Sequence, residues 1–179
     1  MKRKQGIIEF LTGNRSKRKI PYWIVPVKKL IHNKKVPEWC RLPYQRHPKG
    51  CPNYGKKNVC PPQAPYITDV IDIKKPMYLV FSEFNLEAHM DKMKARHPTW
   101  SEAGLRNVLY WQKTSRKQLK ERTGIAKGLL KTNVVIYLPE AAGVHVYATA
   151  FHSGLKLEKI RGLKFNRHIS LIGFRQNML

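Results

Sequence analysis

The distribution of hydrophobic and polar positions divides the chain into short segments that predict alternating strands and helices. β-branched and aromatic residues concentrate in three runs that have the length and composition of strands, namely 77–84 (MYLVFSEF), 133–138 (NVVIYL) and 168–174 (HISLIGF). The segment 22–31 is also apolar, but Pro26 within it restricts any strand there to the edge of a sheet. The pattern therefore predicts three strands and one edge strand.

Helices are predicted between these strands from apolar spacing and from end signals. The segments 67–74 and 85–97 are candidates for a short and a longer helix. Thr99-Trp-Ser-Glu102 has the form of a capping box, which predicts a long helix from Thr99 to Gly124. A further helix is predicted over 140–153. Strands that alternate with helices favour an α/β sandwich with a mixed sheet.

The chain has room for one domain with a sizeable core, because it contains 179 residues and 42% of them are hydrophobic. We expect a single α/β domain over 21–179 and, before it, a flexible basic arm over 1–20. Within the domain, 37–65 is crowded with Pro, Gly, Asn and Cys and predicts a long loop. Four cations of the arm are candidate contacts to nucleic acid: Arg15, Lys17, Arg18 and Lys19.

Charge indicates the kind of partner. Thirty-five Lys and Arg residues against 11 Asp and Glu leave a formal charge of +24. A compact domain with that charge repels itself unless a polyanion neutralises it, which favours a nucleic-acid partner; a host whose proteins are all basic is the alternative. No apolar run reaches the roughly 20 residues of a membrane span, and the N-terminal run is too short for a signal peptide. We expect a cytoplasmic protein without a membrane partner.

The three cysteines lie within the predicted loop. Ten residues separate Cys40 from Cys51 and eight separate Cys51 from Cys60, which is not the spacing of a zinc ribbon. Three thiolates can hold an iron–sulfur cluster that keeps one iron open, or they can hold zinc together with His47 or, less directly, His32. The remaining alternative is three buried thiols that only pack. Clustering within 21 residues disfavours that alternative.

The stretch 51–62, CPNYGKKNVCPP, preceded by Cys40, resembles the signature of a family of uncharacterised, predicted metal-binding proteins of bacteria and archaea. The later stretch 138–155, LPEAAGVHVYATAFHSGL, is similar to that family's second block, so the resemblance covers about 36 to the C-terminus. It implies that Cys40, Cys51 and Cys60 are metal ligands, with a 4Fe–4S cluster as the favoured group and zinc as the alternative. Many relatives carry a second cysteine group before the later block, which this chain lacks, so only one cluster is implied.

An open iron would suit sulfur transfer, desulfuration or dehydration, and such chemistry needs a proton donor nearby. The candidates for this catalytic role lie in the second block: Glu140, His145 and His152. The alternative for Glu140 is an ordinary charge at a helix N-terminus, and for the two histidines an ordinary surface or core position.

The predicted long helix carries a basic face. Lys113, Arg116, Lys117 and Lys120 fall at positions i, i+3, i+4 and i+7, which places them on one side. Bound phosphates would relieve the mutual repulsion of these four charges. The alternative is that the helix dipole favours cations near a helix C-terminus, but this would explain only one or two of the four. These residues are our candidate nucleic-acid contacts.

The leading hypothesis is therefore an iron–sulfur protein that binds nucleic acid, with RNA favoured, and for which RNA modification is a candidate activity. The second hypothesis is a non-catalytic nucleic-acid-binding or ribonucleoprotein component with structural zinc or a structural cluster. In a third, the cysteine loop docks a protein partner. The resemblance carries no reaction that could decide between enzyme and binding protein.

Overall fold

A four-stranded antiparallel sheet forms the centre of the protein. The structure is a computed structural model, and it describes residues 20–44, 47–158, 162 and 164–176. The strands are β1 (Ile24–Pro26), β2 (Tyr78–Phe81), β3 (Phe84–Asn85), β4 (Val134–Ile136), β5 (Phe165–Asn166) and β6 (Ile169–Gly173). The central sheet has the order β1-β2-β6-β4, while β3 and β5 form a separate two-stranded sheet. The strand with Pro26 lies at the sheet edge, as predicted.

Five α-helices and two short 3₁₀ helices surround the sheet in the described part of the chain. The α-helices are α1 (Ile67–Val70), α2 (Leu86–Arg96), α3 (Glu102–Leu105), α4 (Gln112–Leu130) and α5 (Val146–His152). The 3₁₀ helices span Val36–Arg41 and Val108–Tyr110. The predicted basic arm over 1–20, including Arg15, Lys17, Arg18 and Lys19, lies outside the described residues apart from Ile20.

Side chains that alternate along the strands give the sheet two buried faces. Ile24, Val80 and Ile172 form one cluster with Leu119 and Ala126 of α4. The residues next to them in the strands point the other way and pack against α1, α5 and the turn before α5. The chain therefore folds as three layers, with helices on both sides of the sheet, and the predicted α/β sandwich is confirmed.

The direction of the strands differs from the expectation. Each neighbouring pair among the described strands of the central sheet is antiparallel, with Val80 opposite Ser170 and Val135 opposite Ile172. A mixed sheet had been favoured because strands and helices alternate along the chain.

None of the helices in the described ranges is long and apolar enough to cross a membrane.

The long helix predicted from Thr99 to Gly124 is wrong at both ends. Ser101, not Thr99, accepts a hydrogen bond at the helix start, from Gly104 N at 3.3 Å, and the helix it caps has only four residues. The main helix, α4, begins at Gln112 and continues past Gly124 to Leu130. A glycine inside a helix costs about 1 kcal/mol relative to alanine, and the buried stripe of α4 outweighs that cost.

The helix predicted over 140–153 is shorter than expected. Gly143 has a φ of 90°, and the ring of Tyr66 occupies the space that a side chain at this position would need. The chain therefore turns at 140–143, and α5 begins only after His145, whose Nδ1 accepts from Ala148 N at 3.3 Å. As a result Glu140 lies in a turn and not in the first turn of a helix.

Candidate metal centre and basic cavity

The chain reverses direction between the first two cysteines and brings their backbones into contact. Cys51 N donates a hydrogen bond of 2.7 Å to Cys40 O. Gly50 makes this approach possible, because its φ is 79° and a Cβ built on it would lie 2.6 Å from Cys40 O. The ten intervening residues therefore place the first two thiols near one another.

The third cysteine is carried by a closed loop. Gly55 N donates to Pro61 O at 2.8 Å, and the Gln63 side chain donates to Gly55 O at 3.1 Å. Cys60 N donates to Lys57 O at 2.8 Å inside the same loop. These bonds fold the segment after Cys51 back on itself, so that Cys60 returns towards the other two cysteines.

All three thiols line one cavity of about 760 Å³. Each cysteine is half-buried, and none of them forms a disulfide. Burial raises the pKa of the Cys40 thiol, and the charges of Cys51 and Cys60 raise it further. The three groups are therefore close enough to interact electrostatically, as the sequence prediction requires of them.

The donor set suits a thiolate-bound metal, although the side chains do not form a closed coordination set. Among residues 20–44, 47–158, 162 and 164–176, no three His, Cys, Asp or Glu side chains stand in a geometry that could hold a metal ion. Three half-buried thiols that converge on one cavity nevertheless provide the soft ligands of iron–sulfur clusters and of zinc. Cys40, Cys51 and Cys60 are the residues that would hold such a group.

The proposed fourth ligand, His47, is not among the residues that line the cavity. His47 and Tyr44 form a backbone bridge, and their rings lie 4.6 Å apart. The other histidine considered for zinc, His32, shares a hydrogen bond of 2.8 Å with the Tyr66 hydroxyl. The structure therefore brings together three cysteines but neither of these histidines.

Of the three candidate proton donors, Glu140 alone lines the cavity with the thiols. Glu140 is exposed over its side chain as a whole, but protein atoms of the cavity wall surround its carboxyl group, and this partial desolvation raises the pKa of Glu140 above its ordinary value. His145 caps α5 and lies against Trp39, with 5.0 Å between ring centroids. His152 is exposed beside Phe151.

The basic face of α4 is present and leads to the same cavity. Lys113, Arg116, Lys117 and Lys120 are exposed, while the opposite side of the helix is buried against the sheet. Two of the four, Arg116 and Lys120, also line the cavity, and the other two do not. Within the described residues no carboxylate pairs with any of the four.

Sequence reasoning missed His168, which enters the cavity wall just before β6. Its Nδ1 shares a hydrogen bond of 2.8 Å with Ser115 Oγ of α4, and Ser115 Oγ is 2.9 Å from Ser82 Oγ at the end of β2. Burial lowers the pKa of His168, and the positive charge of Arg116 lowers it further. A histidine at the start of a predicted strand carries no sequence signal for this role.

Two tyrosines of the cavity were also missed. Tyr137 follows β4, Tyr147 lies in the first turn of α5, and both rings are substantially exposed. Trp111, by contrast, is buried and stacks on Phe84 with 5.2 Å between ring centroids. Comparison of the chain with protein-family models, curated proteins and solved structures finds no match.

Proposed function

We propose that this protein binds nucleic acid, with RNA as the favoured partner, beside a metal centre held by Cys40, Cys51 and Cys60. The favoured metal group is a single 4Fe–4S cluster. The observation that carries the proposal is that one cavity joins the three thiols to Arg116 and Lys120 of the basic helix face.

The charge of the surface supports a polyanionic partner. The whole chain has a formal charge of +24, and the exposed cations of α4 have no acidic partner within the described residues. Phosphates that bind such a face release their counterions, which favours association at moderate salt. The basic face would therefore guide a phosphate backbone along α4 towards the cysteines.

A recessed cavity favours RNA over duplex DNA. Unpaired bases in RNA loops and ends can turn outward, whereas a base within a duplex must first be extruded at a cost of a few kcal/mol. The cysteines and the cavity-lining cations could then recognise or act on an accessible base, and no base-paired duplex would have to be opened.

The cavity also provides the protein groups that a modification reaction would need. A cluster bound by three cysteines keeps one iron available to a substrate atom. Glu140 lies in the same cavity wall, where its carboxyl group would be the candidate for proton transfer with a bound base, and burial raises the pKa of this group above its ordinary value. RNA modification is the candidate activity that this arrangement supports.

Removing single thiols tests the metal half of the proposal. We expect Cys51→Ala and Cys60→Ala to lose most of the bound metal, because two thiolates cannot hold a cluster that three hold. Val59→Ala is the matched control, since Val59 lines the same cavity beside Cys60 but offers no ligand. Metal analysis of the three purified variants checks this. Full metal content in both cysteine variants would contradict the ligand assignment.

Salt dependence tests the nucleic-acid half. The logarithm of the affinity for a folded RNA should fall linearly with the logarithm of the salt concentration, with a slope that counts the phosphates contacted. Fluorescence anisotropy at several salt concentrations measures it, and a duplex DNA of equal length serves as the comparison. An affinity independent of salt, or no binding to either nucleic acid, would contradict the proposal.

A further inference from the structure

The cavity beside the cysteines is larger than a metal site requires. Its volume of about 760 Å³ lies within the roughly 300–1,000 Å³ that is typical of small-molecule sites. It is formed by segments that are distant in the chain, because the cysteine loop, α4, the start of α5 and the residues before β6 all contribute to its wall. A cavity of this size can accept an organic ligand next to the thiols.

Three cations that face this cavity have no acidic partner within the described residues. Lys57 comes from the cysteine loop, and Arg116 and Lys120 come from successive turns of α4. A fourth cation of the wall, Arg167, is different, since it binds Glu83 through a 2.6 Å contact. Unpaired cations from two separate segments that converge on one cavity are suited to a phosphate group.

The rest of the wall is suited to a flat, partly apolar group. Tyr137 and Tyr147 line the cavity and are 43% and 51% exposed. The Tyr147 hydroxyl lies 3.4 Å from Glu158 O, at the margin of hydrogen-bond distance. Exposed aromatic rings beside unpaired cations are the combination on which nucleotide bases stack while their phosphates are neutralised.

We infer that the cavity binds one unstacked nucleotide. Its phosphate group lies beside Lys57, Arg116 and Lys120, and its base stacks on Tyr137 or Tyr147. This inference rests on the proposed function, because the bound RNA would supply the nucleotide, and it identifies the substrate class of the site. The nucleotide would then share the cavity with the three thiols.

Binding of small ligands to the metal-loaded protein tests the inference. Isothermal titration under anaerobic conditions would compare the four ribonucleoside 5′-monophosphates with the corresponding nucleosides and with inorganic phosphate. At least one nucleotide should bind about tenfold more tightly than its nucleoside and than phosphate, because it alone uses both parts of the site. Phosphate binding as tight as nucleotide binding would identify an anion site only and would overturn the inference.

A matched pair of double variants locates the site. Arg116→Gln with Lys120→Gln removes two cations of the cavity, whereas Lys113→Gln with Lys117→Gln removes two cations of the same helix face outside it. Both double variants should weaken binding of long RNA to a similar degree. Only the first should weaken mononucleotide binding, by about tenfold or more. Equal mononucleotide affinity in the two double variants would overturn the inference.

Tyr147 provides a second readout that does not depend on charge. Tyr147→Ala should weaken mononucleotide binding by about tenfold, and Tyr147→Phe, which keeps the ring, should restore most of it. The side chain is half-exposed, so neither change removes a core contact. If RNA binds with a normal salt slope but no mononucleotide binds, the cavity inference fails and the proposed function stands. If neither binds, both fail.

Discussion

At the scale of single residues, the site depends on one glycine. Gly50 has a φ of 79° and lies so close to the Cys40 carbonyl oxygen that a Cβ would be 2.6 Å from it. Gly55 in the next turn also has a positive φ, of 72°, but no atom lies within 4 Å of the position of its Cβ. A side chain at Gly55 would therefore cause backbone strain only, whereas a side chain at Gly50 would cause both backbone strain and steric overlap.

We expect Gly50→Ala to destabilise the protein more than Gly55→Ala. A non-glycine residue in the left-handed region costs about 1 to 2 kcal/mol, which is the whole effect expected at Gly55. At Gly50 the added methyl group must also displace the Cys40 backbone, so we expect about 3 kcal/mol or more and a loss of bound metal. Denaturant unfolding and metal analysis check this. Equal losses at the two positions would contradict the close approach of Cys40 and Gly50.

His168 should make the free energy of unfolding depend on pH. Burial, and to a lesser degree Arg116, lower its pKa below the ordinary value of about 6.5. A histidine whose pKa is lowered in the folded state stabilises the protein above the unfolded pKa, and this contribution is lost as the pH falls through the folded pKa. His168→Asn should therefore flatten the decline in the free energy of unfolding between pH 7 and pH 5.

Urea unfolding at pH 7, 6 and 5 measures that difference, and an NMR titration of the His168 ring gives the pKa directly. In the Arg116→Gln variant the pKa should rise, but it should stay below its ordinary value, because burial is the larger cause. A pKa of 6.5 or above in the unmodified protein would contradict the partly buried position of the ring beside Ser115.

At the scale of elements, α4 connects the core to the charged surface. Leu119, Thr123 and Ala126 face the sheet, and Thr123 Oγ1 shares a 2.8 Å hydrogen bond with Ser170 of β6. The opposite face presents the four cations. A rigid helix fixed in this way keeps its cations at constant spacing, which suits the regular phosphates of a nucleic acid.

Reversal of Lys113, Arg116, Lys117 and Lys120 to Glu should weaken RNA binding and reduce the slope of log affinity against log salt by about 3. The control reverses Lys92 and Arg96, two exposed cations of α2 that are outside the cavity and have no acidic partner within the described residues. Anisotropy titrations measure both variants. The same slope in the α4 variant and the unmodified protein would exclude α4 from the interface.

The strands and helices also show which local sequence signals were sufficient to predict the observed secondary structure. The β-rich runs at 77–84 and 168–174 became β2 and β6, because both strands are buried and paired on both sides. The capping signal at Thr99 failed because Ser101 two residues later caps a short helix instead. The helix over 140–153 lost its first turns because Gly143 has a positive φ that a helix does not allow, and the ring of Tyr66, far away in sequence, occupies the space that a side chain there would need.

At the scale of the whole molecule, part of the membership of the candidate site was predictable from the sequence, but its assembly was not. The three cysteines and the basic face follow from residue types and helical spacing. That Arg116 and Lys120 share a cavity with those cysteines depends on how α4 packs across the sheet, and a contact between positions about 60 to 80 residues apart has no local signature. The same holds for His168 and Tyr147.

The net charge of the whole molecule and the cations of the cavity support the same proposed interface. The formal charge of +24 would attract a polyanion from any direction, whereas the unpaired cations of α4 and Lys57 would direct its phosphates to the cavity that the cysteines line. The metal centre and the nucleic-acid surface are therefore parts of a single proposed site.

The metal content of the protein purified without oxygen tests the central claim most directly. Iron, acid-labile sulfide and zinc would be measured per chain, and the visible spectrum would be recorded on the same sample. We predict about four irons and four sulfides with broad visible absorbance, held by Cys40, Cys51 and Cys60. One zinc without iron, or no metal at all, would contradict the cluster and would leave the basic surface as the functional part of the molecule.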